Sequence, residues 1–448
     1  MADDDTIAAL PSQLSSLQNQ VKELKIENAK LKSRLAGCWC GSNQEVDNVS
    51  DRVENGESVS TEACKQLQKG KGSRSRKGSN GGTDHYSTIM HQLPRRYVAL
   101  EVMYFGERFY GFASEAHMKP TVESELFRAF EQLRLLAGDK KESKYSRCGR
   151  TDKGVSAVGQ VICLYLRSKF KEIKENDSSF AEEEIDYVKI LNNVLPKDIR
   201  ILGWCPVPLD FHARFSCLSR EYKYFFWREN LDISAMKIAG KKFLGEHDFR
   251  NFCKMDASNV HNYKRCVISF EITQVDRFKD KELWAVNIKG SAFLWHQVRC
   301  MVAVLFMIGQ GLESVDIISQ LLNIESTDRK PQYTIAPELP LVLQSCEFDR
   351  LQFISTSDAR QAVCEHLENE ISSLILQAAI FREALGRASS TRDGGRTPIK
   401  ATRKKASHVP LMERATEPSY EERRSKLNWG GSVVQQRLLS LSLETELD

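Results

Sequence analysis

Apolar positions change period along this chain, and each change marks an element. Residues 96–106, 158–168, 221–227, 265–275, 283–293 and 340–349 alternate or run together as β-strands do, rich in Val, Ile, Tyr and Phe. Residues 121–136 instead place Val122, Leu126, Phe130 and Leu133 on one helical face, with Thr121, Glu123 and Glu125 suited to its start. Residues 187–204 read as helix, turn and strand, and residues 234–245 and 314–325 as further helices. The stretch 296–311 is apolar nearly all round, which predicts a buried helix ending at Gly309 or Gly311. Strands with intervening helices recur in two similar halves. The expected class is α+β, a mixed or antiparallel sheet with helices on one side.

The flanks follow other rules. Within residues 10–36, Leu10, Leu14, Leu17, Val21, Leu24, Asn28, Leu31 and Leu35 step by three and four. Leu at every d position and one Asn at an a position predict a parallel two-stranded coiled coil, with Glu27 of one helix meeting Lys32 of the other. A single amphipathic helix packing on its own domain is the plainer alternative. Residues 37–92 are rich in Gly, Ser, Asn and charge, with Lys65, Lys69, Lys71, Arg74, Arg76 and Lys77 among small residues. So few apolar groups cannot offset chain entropy, so a disordered basic linker is expected. It serves as a nuclear import signal or phosphate contact, or as a solvated tether; both readings stay open. The globular core spans 93–352, with halves of about 93–210 and 211–352. A helical extension follows over 353–385, and residues 386–448 read as a mostly disordered basic and polar tail with a short helical stretch at 420–427.

Composition narrows the function classes. The 448 residues are 41% hydrophobic and 28% charged, and 64 basic against 60 acidic side chains leave a formal charge of +4. No run approaches the ~20 apolar residues of a membrane span, and the acidic start MADDDTIAAL lacks the apolar core of a secretory signal. No membrane association is therefore expected. The 12 cysteines, in a long chain without an export signal, are expected to be reduced thiols. Cys38 and Cys40 form a lone CxC with no second pair at zinc-finger or zinc-ribbon spacing, so no metal site is expected.

The candidate chemistry lies in YSRCGRTDKGVSAVGQV, residues 145–161. Gly149 and Gly154 bracket Arg150, Thr151, Asp152 and Lys153 in a tight loop between strands. If the side chains of Arg150 and Lys153 converge on Asp152, its carboxylate stays ionised, as a nucleophile or base requires. A hairpin turn in which Asp152 only bonds backbone is the alternative that spacing leaves open.

GRTDKGVSA closely resembles the active-site loop of the tRNA pseudouridine synthases related to bacterial tRNA pseudouridine synthase A. The resemblance covers roughly residues 95–350 in ordered blocks: YFGERFYGFASE, FSCLSREYKYFFW, GEHDFRNFCK, IKGSAFLWHQVRCMVAVLFMIGQG and PLVLQSCEFD. Within that family, YGFAS, KPQYTIAPELPLVL and VPLMERATEPSYEER look like the eukaryotic branch that acts on tRNA positions 38 and 39.

The resemblance implies two RRM-like halves forming one extended sheet around a central basic cleft, tRNA as substrate, and a homodimer. Because uridine and pseudouridine are isomers, it implies no metal and no cofactor. By the same resemblance Asp152 is the essential aspartate, Arg299 the arginine that pairs with it bidentately, and Tyr222 the ring that stacks on the target base. Leu341 lies on the base's other side, and Arg150 helps displace the base from its stem. Lys153 and Arg214 are candidate phosphate contacts or plain surface residues. His296 lies in the cleft or packs at the start of a buried helix, and His247 serves a cap or the fold. Tyr224, Phe225, Phe226 and Trp227 are stacking platforms or core. The expected compartment is nucleus, cytoplasm or both. Two rival functions stand: isomerisation of another tRNA or small nuclear RNA uridine, and a non-catalytic RNA-binding scaffold.

Overall fold

A computed structural model of the chain describes residues 94–114, 118–136, 140–170, 184–278, 281–390 and 408–427. The expected coiled coil at 10–36 and the basic linker at 37–92 lie outside the described residues, as do residues 391–407 and 428–448 of the tail.

The first half comprises β1 (Arg95–Tyr104), α1 (Val122–Gln132), β2 (Ser146–Arg147), β3 (Ser156–Arg167), α2 (Tyr187–Asn192) and β4 (Ile199–Pro206). The second comprises β5 (Cys217–Trp227), α3 (Ile233–Gly240), β6 (Gly245–Asp248), β7 (Lys264–Phe278), β8 (Lys281–Gly290), α4 (Gln297–Gly309), α5 (Ile317–Leu322) and β9 (Leu341–Phe348). All the strands join one nine-stranded sheet in the order β4-β1-β3-β9-β5-β8-β7-β6, with β2 beside β3. Within each half the neighbours are antiparallel. The halves meet where β3 and β9 run parallel for a short stretch, pairing Ser156 with Val342 and Ala157 with Leu343. The same order appears twice: β4-β1-β3-β2 in one half and β9-β5-β8-β7 in the other.

The strand sequences explain their places. β1 is covered on both faces, so its side chains are buried almost without a break. Val98, Leu100, Val102 and Tyr104 enter the core that Leu126 and Phe130 of α1 complete. Tyr97 and Ala99 enter a smaller cluster with Cys148, Val161 and Phe211. α1 starts where expected. Thr121 Oγ1 accepts from the Ser124 N–H at 3.1 Å and Ser124 Oγ accepts from the Thr121 N–H at 3.0 Å, a reciprocal cap. α4 is buried nearly all round, as its pattern predicts, and anchors the core of the second half.

The expected helical extension is α6 (Ser357–Ser390). Within the tail expected to be mostly disordered, residues 408–427 pack against the second half: Leu411 is fully buried in that core. Glu313 accepts from the Leu411 N–H at 2.7 Å, Lys330 pairs with Glu417 at 3.0 Å, and Arg329 pairs with Glu422 at 2.8 Å. Tyr420 packs against the same core, its ring 5.9 Å from that of Tyr263, and Thr416 bridges to Pro331. No helix among the described residues is long and apolar enough to cross a membrane.

Candidate active site

Asp152 sits in the turn between β2 and β3. The Asp152 carbonyl accepts from the Val155 N–H at 3.2 Å, closing a β-turn whose third residue, Gly154, has φ +80°. Only glycine takes that conformation without strain. The loop is held from below. Gln160, fully buried, bonds both the N–H and the carbonyl of Gly149 at 3.1 Å. Thr151 Oγ1 and the buried Tyr104 hydroxyl lie 2.7 Å apart. The Phe112 N–H donates to the Thr151 carbonyl at 3.1 Å.

The segment 295–299, at the start of α4, reaches the Asp152 carboxyl. From the start of α4, Arg299 Nη1 lies 3.8 Å from Oδ2. His296 Nε2, just before α4, lies 3.4 Å from the same oxygen, and a hydrogen bond from the Trp295 side chain also favours the carboxylate. Glu338, before β9, takes Arg299 Nη2 at 2.8 Å, while Arg299 Nε donates to the Ala336 carbonyl at 2.7 Å. The expected bidentate clamp is therefore not seen. Arg299 divides its donors among Asp152, Glu338 and a backbone carbonyl, so one contact rather than two aims the carboxyl.

The electrostatics are balanced, not one-sided. Burial pushes the Asp152 carboxyl above its ordinary 3.8, Arg299, Trp295 and Lys254 pull it back, and Glu338 raises it. Arg150 and Lys153 are exposed, and Lys153 Nζ lies over the Tyr110 ring at 4.6 Å. Burial, with Arg299, Lys254 and Lys330 nearby, pushes the His296 imidazole down to about 4, so it is neutral near pH 7. It lies beside Asp152 as a neutral ring, not as a cation. His296 has φ +61°, the left-handed region, a conformation that costs roughly 1 kcal/mol and clusters at functional sites.

Tyr222 lies on β5 at the seam and packs against both large cores. Its ring meets Phe293 edge-on at 5.1 Å, and burial pushes its phenol far up, so it stays protonated. Tyr222 pairs across the sheet with Leu343, and Tyr224 with Leu341. Tyr222, Tyr224, Leu341 and Leu343 thus share one sheet face. Tyr224 and Phe226 are buried core, while Trp227 is exposed. Arg214 is exposed with its guanidinium near the Phe215 ring. His247 Nε2 lies 2.8 Å from the Leu244 carbonyl, a fold contact.

Sequence reading assigned no role to Trp295, Lys254 or Glu338. Lys254 Nζ stands 4.1 Å above the exposed Trp295 ring. Only the position of Trp295 beside His296 and Arg299 in WHQVR signalled it.

The model described as tRNA pseudouridine synthase matches residues 239–349. The tRNA pseudouridine(38/39) synthase of Mus musculus is 41% identical over 372 residues, covering 80% of this chain and 71% of that protein. The chain belongs to the tRNA pseudouridine synthase family. The synthase of the same name from Homo sapiens is 47% identical over 289 residues, covering 61% of this chain and 60% of the human protein. That from Saccharomyces cerevisiae is 40% identical over 313 residues, covering 66% and 68%. The chain thus spans between about three fifths and seven tenths of the length of these family members.

Proposed function

We propose that this protein isomerises uridine to pseudouridine at positions 38 and 39 of the tRNA anticodon stem-loop, with Asp152 as the essential carboxylate. One observation carries the reading: in a chain of this family, a glycine-turned loop at the seam of the two halves brings Asp152 to Arg299, His296 and Trp295. The reaction breaks the N1–C1′ bond, turns the uracil and joins C5 to C1′; the C5 proton leaves and N1 ends protonated. Atoms and electrons balance within the nucleotide and solvent. Asp152 acts ionised, and Arg299, Trp295 and His296 favour and aim that form. The Tyr222 ring stacks on the extruded base, with Leu341 against its other face. Extruding a stem nucleotide costs a few kcal/mol, which the slot and Arg150, occupying the vacated position, offset.

Lys153, Arg214 and Lys254 are exposed and suit phosphates, so tRNA would be held by shape and backbone charge and released by salt. The duplicated strand order supports two RRM-like halves flanking a basic cleft. An exposed apolar stripe on α6 supports a homodimer. The basic segments at both ends support action in the nucleus, the cytoplasm or both.

The test is tritium release from C5-labelled tRNA. Wild-type protein should release label only from tRNA carrying uridine at 38 or 39. Asp152→Asn should lower the rate on the order of 10⁴-fold or more while tRNA still binds. Release from tRNA lacking both uridines would move the target elsewhere, and activity surviving in Asp152→Asn would remove Asp152 from the chemistry.

A further inference from the structure

Three cysteines far apart in sequence converge in the fold. Cys148 follows β2, Cys217 opens β5 and Cys346 lies on β9, and their sulfurs all fall within 4.8 Å of one another. Cys148 is buried, and Cys217 and Cys346 are half-buried against the same apolar cluster. Beside them lies Arg220, itself buried. Among the described residues its guanidinium bonds only backbone carbonyls: Ser291 at 2.6 Å, Arg214 at 2.8 Å and Cys148 at 3.2 Å. A buried cation without a carboxylate partner calls for negative charge nearby, and the thiols are the groups placed to supply it.

We propose that Cys148, Cys217 and Cys346 form a binding site for a thiophilic divalent cation, of which Zn²⁺ is the type. Sulfurs on a tetrahedral zinc with bonds of about 2.3 Å stand about 3.8 Å apart, a closure that small side-chain rotations achieve from the spacing observed. Charge selects the ion. Three thiolates and Zn²⁺ sum to −1, which the +1 of Arg220 neutralises; monovalent copper would leave the pocket at −1. Each thiol releases its proton to solvent as its bond to the metal forms, so affinity weakens as the solution is acidified. The fourth position takes water. Cys148 stands four residues before Asp152, Cys217 is on the strand of Tyr222, and Cys346 is on the strand of Leu341. The ion would fasten together the three segments that carry the proposed active site. Metal uptake itself does not depend on the pseudouridine reading, and the test keeps the two apart.

Full-length protein, stripped with a chelator under reducing conditions, is titrated with Cd²⁺ and, separately, Zn²⁺. Wild type should show a thiolate-to-cadmium ultraviolet band saturating at one equivalent. Cys217→Ser should lose it, and Cys364→Ser, which removes an exposed thiol on α6, should keep it. Because Cys217→Ser could unfold, zinc-edge X-ray absorption on wild type provides a second reading, expected to give three sulfur neighbours. A zinc shell dominated by nitrogen and oxygen, equal uptake by wild type and a folded Cys217→Ser, or no uptake by wild type would overturn the site and leave three packed thiols. None of these results bears on tritium release.

Discussion

Asp152 must be ionised to act, yet its surroundings pull in both directions. Burial exceeds the help from Arg299, Trp295 and Lys254, so its carboxyl titrates above an ordinary aspartate. The acidic limb of the pH–rate profile should therefore lie above 3.8, and activity should fall as pH drops through the raised value. Glu338→Gln removes a like charge and should move that limb down; Arg299→Gln should move it up. A limb at the ordinary position, or one indifferent to both changes, would contradict this balance. His296 adds a pH effect on stability. Its imidazole titrates at about 4 when folded and near the usual 6.5 when unfolded, so between these values the unfolded chain binds more protons. That contribution to stability is lost as pH falls through the window. Gly154 gives a sharper test. A Cβ there would meet Glu338 Cγ at 2.8 Å, at φ +80°. Gly154→Ala should lower stability by about 1–2 kcal/mol and displace Asp152, measured as a lower melting temperature together with slower tritium release. Asp152, Arg299 and Tyr222 were legible as candidates because each stands in a contiguous motif. Lys254 and Glu338 were not, since their relevance comes from loops that only the fold brings together. The cysteine triad was hidden for the same reason: its members lie 69 and 129 residues apart in sequence.

At the scale of elements, long periodic segments were readable and short or anchored ones were not. β1, β3, β5, β7 and β8 alternate or run apolar over ten residues or more, enough for period to speak. β2 and β6, of two and four residues, carry no period and exist because a neighbouring strand offers them hydrogen bonds. The docking of residues 408–427 was not legible because composition averages over the few side chains, Leu411 and Tyr420, that pack into the core. Leu411→Ala should strip the anchor from residues 408–427. The loss for a buried leucine is about 2–5 kcal/mol, more than the exposed part of the ion pairing can restore. Trypsin should then cut within 414–424, where Arg414, Arg423 and Arg424 lie, faster than in wild type, while cleavage in the sheet is unchanged. Equal cleavage rates would mean that Lys330 and Glu417, not Leu411, dock the segment. The seam between halves rests on the short β3–β9 pairing, a parallel contact that no local pattern could announce.

For the whole molecule, α6 presents a problem of exposed surface. Leu367, Ile371, Leu374, Ala378, Phe381 and Leu385 step by four and three along it, and Ile371, Leu374, Phe381 and Leu385 are 56–76% exposed. A soluble helix does not leave a heptad stripe in water without a partner. In the proposed homodimer a second copy would supply a matching stripe by symmetry, since a two-fold interface uses the same patch on both subunits. The coiled coil read at residues 10–36 would add a second seam to the same pairing, so the two can be separated by mutation. Wild-type chain should sediment as a dimer. Leu374→Glu with Phe381→Glu places two charges in the α6 seam and should raise the dimer dissociation constant at least 100-fold, from a loss of roughly 3 kcal/mol, with the fold of the catalytic core retained. Removing residues 1–36 should weaken pairing independently. If the double variant sediments as wild type does while the truncation is monomeric, the N-terminal helix alone pairs the protein and the α6 stripe faces something else. If both pair normally, the two-fold reading fails at its root. The physical reason to expect the α6 effect is the stripe itself, because among the described residues those side chains bury little surface and a second copy would cover them.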